Sequence, residues 1–382
     1  MRLLFLIFLI INLFFHKSNI NRLLSLKINK RFINDCKKSI NYKRIKIINQ
    51  SPYFSICLSA LNMENYIKRA LLSILNQSFQ DFEIIIINDN SNDNTENIIN
   101  KMRFEDNRIT CIYHQKNMGV YSSRIEAILL AKGKYIILMD PDDMFLNENL
   151  LKILYNYNLK LNLDIVEFTV FREIEDSKLI FYPDIHFKTH YHNFSKKIIY
   201  QPELSEILFY IPNTKNYSHT ICRNIWNKMI NRKIFLKAIK YIGSYYLNQF
   251  VITADDILMN LIVYHYANNY SNIEIPGYLY NIRKASMSHG DGGNELNIIR
   301  SINYFLYFQI LYKYIKEFKK CRNFLYFEME DFKQYILDIK NYNVKKYIPQ
   351  VINYLNEIIN DKYVSYFFRN YTNQLLLYFQ TN

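Results

Sequence analysis

The chain has 382 residues, half of them apolar, which suits one large α/β unit with a helical appendage and can bury a sizeable core. Its formal charge of +14 is lodged at one end: residues 1–50 hold eleven of the 48 Lys and Arg but only Asp35 among the 34 acids, so the remaining body carries 37 cations against 33 acids, or +4. A nucleic-acid-binding body is excluded, because its folded part would have to carry a basic concentration, and five widely spaced cysteines with no Cys-x-x-Cys pair speak against a zinc site or a disulfide framework.

Leu3 to Phe15 is apolar but for Asn12, with Arg2 before it and His16-Lys17 after it. Helical residues rise about 1.5 Å each, so this run spans ~20 Å, short of the ~30 Å hydrocarbon core. Residues 1–17 therefore read as an uncleaved signal-anchor or a signal peptide, followed by a basic stem over 18–51. This makes the membrane a partner through the N-terminus. It predicts a membrane-associated protein, in the ER or Golgi if its source is eukaryotic and on an undecided side of the membrane, with secretion as the alternative.

From Pro52 apolar strands alternate with helices. Phe54–Ser59 is the first strand, and a helix follows near Asn65–Leu75, where Ile67, Leu71, Ile74 and Leu75 share one face. Phe82–Ile87 is a nearly continuous apolar run, as expected of a strand covered on both faces in a parallel sheet. It stops at Asn88–Thr95, a polar turn that can cap a helix beginning near Glu96. Ile109–His114 is a third strand, Ser122–Ala131 a helix closed by Gly133, and Tyr135–Met139 a fourth strand. Cys57 and Cys111 sit within the apolar runs as small core residues. The alternation predicts an α/β fold with a doubly wound, mostly parallel sheet flanked by helices. Ligands of such sheets bind beyond the carboxyl ends of the strands, where Asp89 and Asp140 both fall.

The fourth strand delivers Asp140-Pro141-Asp142-Asp143. Pro and Asp are ordinary turn residues, so an acidic turn is one reading. The other starts from the repulsion among three like charges: a hard divalent cation, Mg²⁺ or Mn²⁺, offsets it, keeps waters, and bridges one or two carboxylates to substrate phosphates. The turn Ser59-Ala60-Leu61-Asn62-Met63-Glu64 lacks Gly-x-Gly-x-x-Gly, and no Walker lysine motif occurs. Phosphate charge then has to be met by metal.

Four motifs in register carry a family resemblance. Ser59–Ile67 resembles Ser-x-Tyr-Asn-x-Glu-x-Tyr-Ile, Ile86–Asp93 resembles Val-Asp-Asp-Gly-Ser-x-Asp, Asn117–Arg124 resembles Asn-x-Gly followed by Arg, and Tyr135–Asp143 resembles Tyr-Ile-x-x-x-Asp-x-Asp-Asp. Over about residues 52–175 the chain thus resembles the family 2 glycosyltransferases, inverting enzymes of the GT-A fold. The resemblance implies a nucleotide-sugar donor, a UDP-sugar, met by Ser59, Leu61 and Glu64 of the first motif, by Asp89 on the uracil ring, by Arg124 on the donor nucleotide and by Asp140 toward ribose. It also implies Asp142 as ligand of Mn²⁺ or Mg²⁺, with Asp143 as the alternative and Asp140 beside it. Two departures bear on nucleotide preference: Leu61 stands in place of an aromatic that stacks on the base, and Asn88 in place of the first acid of a pair.

Beyond residue 175 the resemblance narrows to Ile225–Met229 and Ala254–Asn260, which looks like the family's Glu-Asp at the start of a helix. On that likeness Asp256 is the catalytic base, with a helix-capping acid pair as the alternative. Arg283–Asn294 holds three of the seven glycines and reads as a lid; the resemblance implies that its His289 can complete the metal shell, with a simply exposed histidine as the alternative. From Leu296 onward Ile299, Ile302, Leu306 and Ile310 recur at helical spacing. The expected organisation is a nucleotide-sugar-binding half over 52–175, an acceptor-binding half with base and lid over 176–293, and a helical extension over 294–382. The expected function is transfer of a single sugar to a hydroxyl of a glycan, lipid or protein acceptor; a catalytically decayed, glycan-binding or scaffold domain is the alternative.

Overall fold

The structure, a computed structural model, describes residues 51–174, 198–201, 204, 224–247, 251, 255–283, 307 and 314, all of them in one compact unit. In chain order the elements are β1 (Phe54–Ala60), α1 (Ile67–Leu75), β2 (Phe82–Asn88), α2 (Thr95–Glu105), β3 (Ile109–Tyr113), α3 (Val120–Leu130), β4 (Tyr135–Met139), β5 (Met144–Phe145), α4 (Leu150–Leu161), β6 (Ile165–Ile174), β7 (Ile199–Tyr200), β8 (Lys228–Asn231), α5 (Arg232–Leu247), α6 (Asp255–Tyr266) and β9 (Asn269–Ile282). Among the described residues they make one nine-stranded sheet, in the order β3-β2-β1-β4-β8-β6-β9-β5, with β7 also paired to β9.

The apolar run of β2 is explained by burial on both sides. Ile84 and Ile86 join Ile67, Leu71 and Ile74 of α1 and Ile99 of α2 in the main core. Ile85 and Ile87 point to the opposite face, as alternation along a strand requires, and are equally buried beneath α3, which packs on β1 and β2. Cys57 and Cys111 are buried and free, as their sequence setting predicts. Gly133 is required by a close approach: a Cβ there would lie 2.6 Å from the backbone nitrogen of Ser55.

The strands expected from the sequence are found, and two helix boundaries move. The helix expected from Asn65 begins at Ile67, and the one expected from Ser122 begins at Val120, immediately after Gly119, whose φ of 90° turns the chain. The sheet itself is mixed: its long ladders are parallel, as expected, and short antiparallel pairings are added to them. β1, β2, β3 and β4 pair parallel, as does β6 with β9, but β8 is antiparallel to both β4 and β6, and β9 is antiparallel to β5 and β7.

The chain leaves β1 toward β2 and β3 on one side and returns to β4 on the other, which places a topological switch point at the carboxyl end of β1. Ala60 lies opposite Asn88, and Leu58 opposite Met139, so the strands end nearly level. Two loops at this edge are laced together. Backbone N–H groups of Asn62, Met63 and Glu64 donate to Ser91 Oγ (3.0 Å), Thr95 Oγ1 (2.7 Å) and Asp93 Oδ2 (3.0 Å). In return the N–H groups of Asn92 and Asn94 donate to Asn62 Oδ1 and Glu64 Oε2, both at 2.8 Å.

The expected N-terminal segment and the stem other than Ser51, His289 with the rest of the expected lid after Arg283, and the expected helical extension other than Tyr307 and Tyr314 lie outside the described residues. Among the described residues no helix is long and apolar enough to cross a membrane. Tyr307 and Tyr314 are buried, and Tyr314 Oη sits 2.9 Å from His265 Nδ1 on α6.

Candidate functional site

The chain leaves β4 into a turn in which three aspartates take three directions. The Asp140 N–H donates to Tyr278 Oη (3.1 Å), and the same hydroxyl donates to Asp143 Oδ2 (2.7 Å). Asp143 also accepts the N–H of Asn281 on Oδ1 (2.8 Å) and is fully buried. Burial, with the charges of Asp142 and Asp140 behind it, pushes its carboxyl well above the ordinary range. Asp143 therefore fastens the turn to β9, and both of its oxygens face inward. Trp226 stacks on the rings of Tyr278 and Tyr280, with centroids 4.6 and 5.2 Å away, and stiffens the same strand.

Asp142 faces the other way. Its Oδ2 accepts from Nε (2.7 Å) and Nη2 (2.6 Å) of Arg283, whose guanidinium lies over the Tyr66 ring at 4.8 Å. Burial and the neighbouring Asp140 raise the Asp142 carboxyl, against the pull of Arg283. Arg69 of α1 donates to the Asp142 carbonyl (3.0 Å) and pairs with Glu173 of β6 (3.0 Å), which ties the turn to both elements.

Arg124, on the inner face of α3, is the centre of the second cluster. Its Nη2 donates to Asp140 Oδ1 (2.6 Å), while Nη1 donates to Asp255 Oδ2 (2.6 Å) and to Asp256 Oδ1. Asp255 and Asp256 open α6, where an acid is favoured by the helix N-terminus. Burial pushes the Asp256 carboxyl up to about 7; Arg124 opposes this, but Asp255 and Asp140 compete for the one guanidinium. A carboxylate of that basicity is matched to proton abstraction near neutral pH.

Asp89 belongs to a separate arrangement, two strands from Asp140 and so about 10 Å away across β1. It is 2% exposed. Its Oδ1 meets His114 Nδ1 (2.6 Å) and the N–H of Met118 (2.7 Å), and its Oδ2 accepts the N–H of Gly119 (2.8 Å). The other ring nitrogen of His114 meets Glu126 Oε2 at 2.7 Å. Burial alone would lower the His114 pKa, but the two carboxylates outweigh it and hold the imidazole at about 9. Its ordinary value is about 6.5, so holding this proton stabilises the fold fully below about pH 6.5, and that stabilisation is lost as pH rises through about 9. The loss should amount to ~3 kcal/mol, and His114→Gln should abolish it when urea unfolding free energies at about pH 6 and pH 9.5 are compared. Equal pH slopes for both proteins would remove the imidazolium from the fold.

The remaining residues expected to meet the donor border this edge: Ser59, half-buried near the end of β1; Leu61, half-buried in the turn after it; and Glu64, exposed and engaged with Asn94. Asn88 is buried and accepts from the N–H (3.2 Å) and hydroxyl (2.6 Å) of Ser91, so it caps the turn locally. The structure thus gathers Arg124, Asp140 and Asp256 by direct bonds, sets Asp142 beside them, and keeps Asp89 apart. Sequence reasoning missed His114, Glu126, Tyr278 and the pairing of Arg283; a histidine at the carboxyl end of a parallel strand is the one signal that could have been read.

Among the described residues no three His, Cys, Asp or Glu side chains converge as a metal nest. The donor chemistry nevertheless fits Mg²⁺ or Mn²⁺. Asp140 keeps Oδ2 and Asp142 keeps Oδ1 outside their arginine pairs, and these ions bind through one or two carboxylates plus waters and substrate phosphates.

Residues 55–235 match the family model described as glycosyl transferase family 2. An uncharacterized glycosyltransferase of Haemophilus influenzae is 37% identical over 112 residues, 29% of this chain and 44% of that protein. The hyaluronan synthase of Pasteurella multocida is 37% identical over 129 residues, 31% of this chain and 13% of that protein. The chain therefore spans less than half the length of these two relatives. The crystal structure of S. aureus TarS 1–349 superposes with a TM-score of 0.51 at 18% identity, over 85% of this chain and 88% of that one, and shares its fold. Residues 55–235, with four motifs in register at the carboxyl edge of a mixed α/β sheet, thus resemble glycosyltransferase family 2.

Proposed function

We propose that the chain is an inverting glycosyltransferase that moves a single sugar from a nucleotide-sugar, a UDP-sugar, to a hydroxyl of a glycan, lipid or protein acceptor with the help of Mn²⁺ or Mg²⁺. The observation that carries this reading is the bridge from Asp140, at the carboxyl end of β4, through Arg124 to Asp256. It puts a carboxylate of raised basicity beside the edge where nucleotides bind in such sheets. Asp256 accepts the proton of the acceptor hydroxyl as that oxygen bonds to the anomeric carbon. The bond from this carbon to the diphosphate oxygen breaks with its electron pair leaving on the nucleoside diphosphate. Attack on the face opposite the departing group inverts the anomeric configuration. Asp140 and Asp142 would hold the cation, which supplies neutralisation of the charge building on the leaving diphosphate. A membrane tether in residues 1–17 belongs to the same reading and rests on the sequence alone.

The test is nucleoside diphosphate release across a panel of nucleotide-sugars, with Mn²⁺ and with EDTA. One donor should support turnover, EDTA should lower it by at least about 10²-fold, and Asp142→Asn should reproduce that loss in the presence of metal. Full activity in EDTA would sink the metal, and no release from any donor would favour the glycan-binding alternative.

A further inference from the structure

Arg124 stands in an unusual position for a residue implied to contact the donor nucleotide. Its side chain is 8% exposed, and both terminal nitrogens are bonded to protein carboxylates contributed by two elements far apart in the chain. We propose that Arg124 acts through Asp256, as the positioning residue that fixes the base against the donor edge. The proposal rests on the reading of Asp256 as that base.

Three observations support it. The guanidinium is planar, so one nitrogen on Asp140 sets the direction in which the other presents hydrogens to Asp255 and Asp256. Asp255 is buried beside Asp256 and takes the same nitrogen, so the arginine is gripped from the α6 side and cannot follow Asp256 if that side chain turns away. α3 packs on α5 and α5 on α6, so the layer that carries Arg124 is continuous with the layer that carries the base. A lysine in its place would keep one charge but could not span the same carboxylates in one plane.

The experiment uses the full chain and three variants: Arg124→Lys, Asp256→Asn and the double variant. Activity is read as nucleoside diphosphate release to water from the best donor of the panel, and donor-site affinity as UDP binding by calorimetry with Mn²⁺. Arg124→Lys should lower kcat by about 10²-fold, the cost of a misplaced catalytic group, while the Kd for UDP stays within about threefold. On the Asp256→Asn background the same substitution should cost almost nothing more, because residues that act as one unit are not additive. A purely structural role would lower activity equally on both backgrounds, and additive losses would therefore overturn the proposal. So would a Kd for UDP raised tenfold or more with kcat kept, which would return Arg124 to the donor. Undiminished activity of Asp256→Asn alone would instead sink the base, and the two failures are thereby distinguished. If Arg124→Lys does not fold, Asp255→Asn loosens the same nitrogen, and its loss of activity must likewise vanish on the Asp256→Asn background.

Discussion

Asp256→Asn should lower sugar transfer by roughly 10² to 10⁴-fold and leave UDP affinity within about threefold. The substitution keeps the shape of the side chain and a carbonyl oxygen for Arg124, but it removes the group proposed to take the proton. Proton removal matters only as the acceptor oxygen attacks, so the loss belongs to kcat and not to donor binding. In the unaltered protein the burial that lifts Asp256 to about 7 has a further consequence: the base is empty only above that value, so kcat should rise as pH climbs through about 7. The comparison with Asp255→Asn is informative, because both acids bond one nitrogen of Arg124. Equal losses in the two variants would point to charge balance around Arg124. A loss clearly larger in Asp256→Asn than in Asp255→Asn identifies the base.

Lys228→Met should destabilise the fold by about 3–5 kcal/mol, more than any surface change. Lys228 and Glu167 are both fully buried, 3.5 Å apart, on the paired strands β8 and β6. The ammonium also donates to Asn227 Oδ1 (2.9 Å) and to the Asn224 carbonyl, while Glu167 accepts from Asn227 Nδ2 (3.2 Å) and from the hydroxyls of Tyr264 (3.4 Å) and Tyr270 (3.2 Å). Removing the cation alone leaves a carboxylate in the core without its counter-charge, and that penalty dominates. Adding Glu167→Gln to Lys228→Met should therefore recover most of the loss in urea unfolding. A single variant as stable as the parent would show that water reaches the pair. Tyr264 lies on α6, so the single variant should also disturb the helix that opens with Asp256.

The parallel half of the sheet was legible because its strands are short apolar runs closed by polar turns, each a local pattern. Asp89 and Asp140 could be placed at the carboxyl edge for the same reason. The antiparallel half was not: β8 is four residues long and joins β4, from far earlier in the chain, to β6. No local periodicity reports such a pairing. The site followed the same division. Asp140, Asp142 and Asp256 stood out as acids in motifs, whereas the ion pairs that arrange them join residues 131, 132 and 141 positions apart. Lys228 lay within the Ile225–Met229 cluster and His114 at the end of an apolar run, and only the fold shows the acids that face them.

The lacing between the loops after β1 and β2 decides when this edge becomes ordered. Each loop supplies hydrogen-bond acceptors to the backbone of the other, so neither holds its shape alone. Two residues of the pair, Asn62 and Asn90, have φ of 54° and 67°, a conformation that an isolated peptide would seldom populate. The conformational entropy of this rim is therefore given up once, when the sheet forms, and not again at each arrival of a ligand. Under the proposed function, a nucleotide meeting the rim would find its wall already built, and more of its contact energy would remain as affinity.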